Sequence, residues 1–117
     1  MFDFEKLSVY QKAKNLNKLV VEFLFVNTVD KTTHDQLRRA SFSIMLNIAE
    51  GTGRLTKPDK RHFYVIARGS TFEVAAIIDY LKDLKLISNS DFDNLYQKLE
   101  EISKMLFGLI NQLKPVK

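Results

Sequence analysis

The chain has no cysteine, and its 117 residues include only four glycines and two prolines. Without cysteine there are no disulfides, no thiolate metal sites and no thiol catalysis, a composition that suits a reducing compartment. So little glycine and proline leaves scant material for the many turns of a sheet protein. An uninterrupted apolar run of the roughly 18 residues that a membrane span needs is also missing. The longest such stretch, around Leu19–Val29, is broken by Glu22 and Asn27. The opening MFDFEKL carries acids early and has no apolar segment of the signal-peptide kind. The expectation is a cytoplasmic protein that does not enter a membrane. No strand-period segment, internal repeat or low-complexity tract is visible.

Hydrophobic residues make up 45% of the chain and run along its whole length, which supports one folded domain over residues 1–117 and argues against disorder. Their spacing is helical. Ser8-Val9-Tyr10-Gln11 reads as a capping box, followed by Val9, Ala13, Leu16, Val20 and Phe23, so a first helix is expected to about Thr28. Thr33-His34-Asp35-Gln36 reads as a second box, with Leu37, Ala40, Ile44 and Ile48 behind it. Gly51 and Gly53 are expected to end that helix in a left-handed cap. Thr56 and Pro58 start a third helix, whose stripe reads Phe63, Ile66, Ser70, Glu73, Ile77, Tyr80, Leu84 and Ile87. Ser90 opens a fourth, with Phe92, Leu95, Leu99, Ile102, Leu106, Leu109 and Leu113 as its apolar face. The connections are short, so the fold class expected is all-α, an antiparallel up-down-up-down four-helix bundle.

Polar side chains interrupt two of these stripes. Ser43, Asn47, Glu50 and Arg54 share one face of helix 2, and Ser70 and Glu73 lie in the row of helix 3. A buried carboxylate is costly unless paired. A structural network of Ser43, Asn47, Glu50, Arg68, Ser70 and Glu73 is therefore expected, with a catalytic carboxylate pair as the alternative. Gly69 and Gly108 are expected to let helices 3 and 4 approach closely. Asp59-x-x-His62 has ligand-compatible spacing, but a di-iron bundle needs a second such half, and His34 and His62 stand alone. Gly51-Thr52-Gly53-Arg54 lacks the spacing of a phosphate loop. No catalytic residue, metal site or cofactor is expected.

The net charge of +4 is unevenly placed: residues 31–68 hold eight bases against three acids, a net of +5, and the rest of the chain nets −1. The segment is either solvated helix surface or a patch for phosphate backbones. In the second case Arg38, Arg39, Arg54, Lys57, Lys60 and Arg61 make the contacts. No aromatic-interleaved base-reading motif is evident, so binding to RNA or DNA is expected to be largely independent of sequence. Helix 1 around Leu19–Val26 and helix 3 around Phe72–Ile78 are apolar over more of their circumference than one core face needs, which points to self-association.

Ser43-Ile44-Met45-Leu46-Asn47-Ile48-Ala49-Glu50-Gly51-Thr52-Gly53-Arg54 resembles the signature S-I-x-x-N-I-A-E-G-x-G-R of the four-helix-bundle family encoded in 23S rRNA intervening sequences. The stretch Phe63–Glu73 resembles its second block, a Phe followed by A-x-G-S-x-x-E, and Phe4–Ala13 is similar to the family's N-terminus. Met45-Leu46 departs from the Pro-Ser often found there. The resemblance spans nearly the whole chain. It implies an all-α bundle assembled as a ring, typically a homopentamer, with no known enzymatic activity. It further implies a relation to accessory proteins of diversity-generating retroelements, basic barrels that bind nucleic acid and a reverse transcriptase. Two functions stay open: a homo-oligomer that binds RNA or DNA, and a purely structural or protein-binding assembly.

Overall fold

The structure is a computed structural model and describes residues 1–116. Four helices follow in order: α1 (Ser8–Val26), α2 (Lys31–Thr52), α3 (Lys57–Asp83) and α4 (Asn89–Gln112), preceded by a 3-10 turn at Asp3–Lys6. No strand occurs among the described residues. Each helix packs on its neighbours in the cycle α1–α2–α3–α4–α1, most extensively between α2 and α3 and least between α1 and α4. The 48 Å long axis is consistent with α3, whose 27 residues span about 40 Å. No helix is long and apolar enough to cross a membrane among the described residues.

The expected stripes of α1 and α2 are buried as a set: Val9, Ala13, Leu16, Val20 and Phe23 from one, Leu37, Ala40, Ile44 and Ile48 from the other. On α4, Phe92 to Leu106 are buried as expected, and Ile110 replaces Leu109 at the end of the row. All four helices feed one continuous apolar cluster. Each fully buried Leu or Ile in it contributes about 1.5–3 kcal/mol over the exposed state.

The α3 stripe is corrected. Its buried face is Tyr64, Ala67, Thr71, Val74, Ile78 and Leu81, with Ser70 at the margin, whereas Ile66, Glu73, Tyr80 and Leu84 are exposed. The expected row lies one residue, about 100°, away from the true one. Helix 3 carries apolar residues at both phases, and the buried phase includes Ala67 and Thr71, which give weak signals. Thr71 is tolerated inside because its hydroxyl donates to the Ala67 carbonyl at 2.9 Å. Ser41, also buried, donates to Asn17 Oδ1 at 2.8 Å and so ties α2 to α1.

Helix starts are corrected as well, in three of four cases. Ser8 is already helical; its preceding turn is closed by Phe2 N–H donating to Glu5 Oε2 at 2.7 Å, and Gln11 Nε2 donates to the Glu5 carbonyl. Helix α2 starts at Lys31, because Asp30 accepts the Thr33 amide before Thr33 can act as a cap. Ser88, not Ser90, caps α4 by accepting the Asp91 amide at 3.0 Å. Thr56 caps α3 as expected.

No described glycine has a positive φ. Gly53 ends α2 at φ −81°, ψ −9°, and Gly51 lies within the helix. Gly51 instead permits close contact: a Cβ there would lie 3.0 Å from Phe63 Cβ and from a Tyr64 ring carbon. Gly69 and Gly108, expected to sit between helices, face open space. Among the described residues the one in a left-handed conformation is Lys85, at φ 59°, after α3. Its neighbour Leu86 donates back to the Leu81 carbonyl at 2.9 Å, closing the helix with a Schellman-type bond.

Candidate nucleic-acid interface

Of the six residues expected in a polar network, three meet. Ser43 Oγ and Ser70 Oγ are 2.9 Å apart across α2 and α3, and Asn47 Nδ2 donates to Ser43 Oγ and to the Ser43 carbonyl, each at 2.9 Å. The other three lie elsewhere. Glu50 is exposed and accepts from Arg54 at 2.8 Å, one helical turn on. Glu73 is exposed, and among the described residues it forms no hydrogen bond or ion pair, because the α3 rotation carries it off the core. Arg68 faces α4, with Nε 3.4 Å from the Ser103 carbonyl.

The six bases expected to face phosphate divide similarly. Arg38 and Arg39 are exposed on α2, well before the loop, and form no ion pair among the described residues. Arg54 is engaged with Glu50, and its guanidinium lies 4.5 Å above the Phe63 ring. Lys60 is turned inward: its Nζ donates to the Thr52 carbonyl at 2.7 Å, satisfying an orphan acceptor at the C-terminus of α2. Beside it, Thr52 Oγ1 donates to the Ile48 carbonyl at 2.7 Å and so accepts from the Tyr64 hydroxyl at 2.8 Å. Lys57 is exposed, and Arg61 is half-buried with an Nε that has no hydrogen-bond partner among the described residues.

Lys57 and Arg61 share a surface depression of about 500 Å³ with His62, Val65 and Lys114, and no acidic residue lines it among the described residues. A second depression, about 480 Å³, continues from Val65 along α3 and α4 past Arg68, Phe72 and Phe107. A third, about 350 Å³, continues from Arg68 and Phe72 to Tyr96, Glu100 and Lys104. The Arg68 guanidinium carbon stands 4.8 Å from the Phe72 ring centre and 5.4 Å from that of Phe107. Lys104, Lys114, Phe107 and Tyr96 escaped the sequence reading, because they join α3 bases only when α4 docks beside α3.

Ionisation is perturbed at the start of α2. The Thr33 side chain and amide hold the Asp30 carboxyl below its usual range. A hydrogen bond between Lys31 and Asp35, 2.8 Å, raises the former and lowers the latter. His62 stands edge-on to Phe63, 5.3 Å between rings, and no cluster of three potential metal ligands occurs among the described residues. The groove sets Lys57, Arg61, Arg68, Lys104 and Lys114 beside half-exposed aromatic rings, a chemistry suited to anions.

None of the curated proteins matches the chain. A solved structure from Bacteroides thetaiotaomicron VPI-5482, a protein with unknown function from the S23 ribosomal protein family, is similar in fold. Its TM-score is 0.82 at 22% identity, with 87% of this chain and 97% of that one covered. The model of the family described as 23S rRNA-intervening sequence protein matches residues 5–108, and the chain belongs to that family.

Proposed function

We propose that the chain is a non-enzymatic, homo-oligomeric module of the cytoplasm that binds RNA or DNA through basic residues without reading sequence. Its helices alternate up and down in antiparallel order, and its copies close into a ring, with a pentamer as the expected number. The observation that carries the reading is the depression in which Lys57, Arg61 and Lys114 converge with no acid lining it among the described residues. A ring repeats that local charge once per subunit, so a modest patch becomes a large field.

The test is a gel-shift titration with ribosomal RNA fragments and unrelated RNA across a salt series. Both are expected to bind alike, with affinity falling steeply as salt rises. Lys57→Gln with Arg61→Gln is expected to weaken binding and flatten the salt slope. Lys60→Gln is expected to lower stability and leave the slope unchanged, since Lys60 is engaged with Thr52. Absence of binding at low salt would end this reading.

An assembly module without nucleic-acid binding is the second reading. It is favoured by the apolar side chains left exposed: Phe42 and Leu46 on α2, Ile66 and Tyr80 on α3, Leu84 just after it, and Phe25 on α1. Light scattering is expected to report a multiple of 13.6 kDa at micromolar concentration; a stable monomer would remove the ring from both readings.

A further inference from the structure

We infer that the groove between α3 and α4 is a site for single-stranded nucleic acid, in which bases stack on Phe72 and Phe107 while Lys57, Arg61, Lys104 and Lys114 hold the phosphates. The inference rests on the nucleic-acid reading above and adds the strand type and the means of contact.

The three depressions adjoin along α3 as a track, with Val65 shared by the first two and Arg68 and Phe72 by the second and third. From Lys57 to Ala75 the track follows about 27 Å of helix, enough for a strand of a few nucleotides. Among the described residues its lining holds Lys57, Arg61, Arg68, Lys104 and Lys114 against one acid, Glu100. Phe72 and Phe107 are 56% and 53% exposed in the middle of it. They flank the Arg68 guanidinium, which the Ser103 carbonyl holds in place. Half-exposed rings beside a pinned guanidinium form a stacking platform that accepts any base, because every base has a π-face.

The Arg61 Nε–H, buried without a partner, adds an independent sign. An unpaired donor of this kind is costly, and rotation of Arg61 toward a phosphate oxygen in the groove would satisfy it with a charge-assisted hydrogen bond. Duplexes are disfavoured, since their base faces are covered by neighbouring pairs and cannot reach the two rings.

The test uses fluorescein-labelled oligouridylate, alone and annealed to oligoadenylate, with the full chain and its Phe72→Leu and Phe107→Leu variants. Leucine keeps the apolar bulk and removes the π-face, and circular dichroism checks that the variants fold. Each variant is expected to bind the single strand about 5- to 100-fold more weakly, with duplex binding and solution mass unchanged. The chain has no tryptophan, so Phe107→Trp supplies a single reporter whose fluorescence should be quenched by the single strand. Leucine variants that bind the single strand like wild type, with no quenching at position 107, would overturn the groove assignment and leave the general nucleic-acid reading standing. Loss of solution mass in the leucine variants would make the groove a subunit interface and overturn it too. A wild-type chain that binds neither strand type overturns both proposals together.

Discussion

Ser43 on α2 and Ser70 on α3 share a 2.9 Å hydrogen bond, and Asn47 donates to the same Ser43 oxygen. Ser43 Oγ thus accepts from Asn47 and can give its own proton to Ser70. The small cluster fixes the register of the two most extensively packed helices at a half-buried seam, where a slip would leave three polar groups unpaired. Ser70→Ala is expected to cost about 0.5–1.5 kcal/mol in urea unfolding. The Ser43→Ala/Ser70→Ala double variant should cost less than the sum of the two single changes, because the pair shares one bond. Glu73→Ala, which touches no such partner, should change stability by no more than about 0.5 kcal/mol; a larger loss would place Glu73 in a contact between subunits.

Glycine replacement separates the two kinds of glycine. Gly51→Ala sets a methyl 3.0 Å from Phe63 Cβ and 3.1 Å from the Lys60 carbonyl, where backbone cannot yield cheaply. Thermal unfolding should show a loss of about 1–3 kcal/mol. Gly108→Ala meets open space within a helix and should stabilise by up to about 1 kcal/mol. A neutral Gly51→Ala would contradict the close approach of α2 and α3.

Lys85 holds a left-handed conformation at φ 59° with no β-carbon relief. Lys85→Gly should therefore raise stability by about 1 kcal/mol, although it removes a side chain and a charge. Chemical denaturation of the two proteins side by side decides it, and a loss would mean that the Lys85 side chain contributes contacts of its own.

Asp30 caps α2, and its carboxyl is held below its usual range by Thr33. A depressed folded-state value means that the cap's ionic contribution is present above the unfolded value near 3.8 and is lost as pH falls through the lower folded value. Asp30→Ala should lower the unfolding midpoint at neutral pH, and the difference from wild type should shrink as pH drops below about 4. Asp30→Asn should keep most of the cap and show a weaker pH dependence. A difference that does not vary with pH would exclude the ionised cap.

The number of helices, most of their lengths and three of the four core faces were legible from the sequence, because each depends on near neighbours. Periods of three and four select the face of α1, α2 and α4, and Thr56 caps α3 through an amide three residues away. The phase of α3 was not legible. Its apolar residues fill two adjacent faces, and only docking against α2 and α4 selects Tyr64, Val74 and Ile78 over Ile66 and Tyr80. The same rotation sends Glu73 outward and turns Arg68 toward Phe72 and Phe107. The basic segment was visible as composition, yet whether a given cation is available was decided by tertiary contacts. Lys60 is turned to the Thr52 carbonyl and Lys57 forms no ion pair among the described residues, although three residues separate them. The aromatic and basic groove draws on α3 and α4 together, and residues so distant in the chain become neighbours only through packing, which no local pattern encodes.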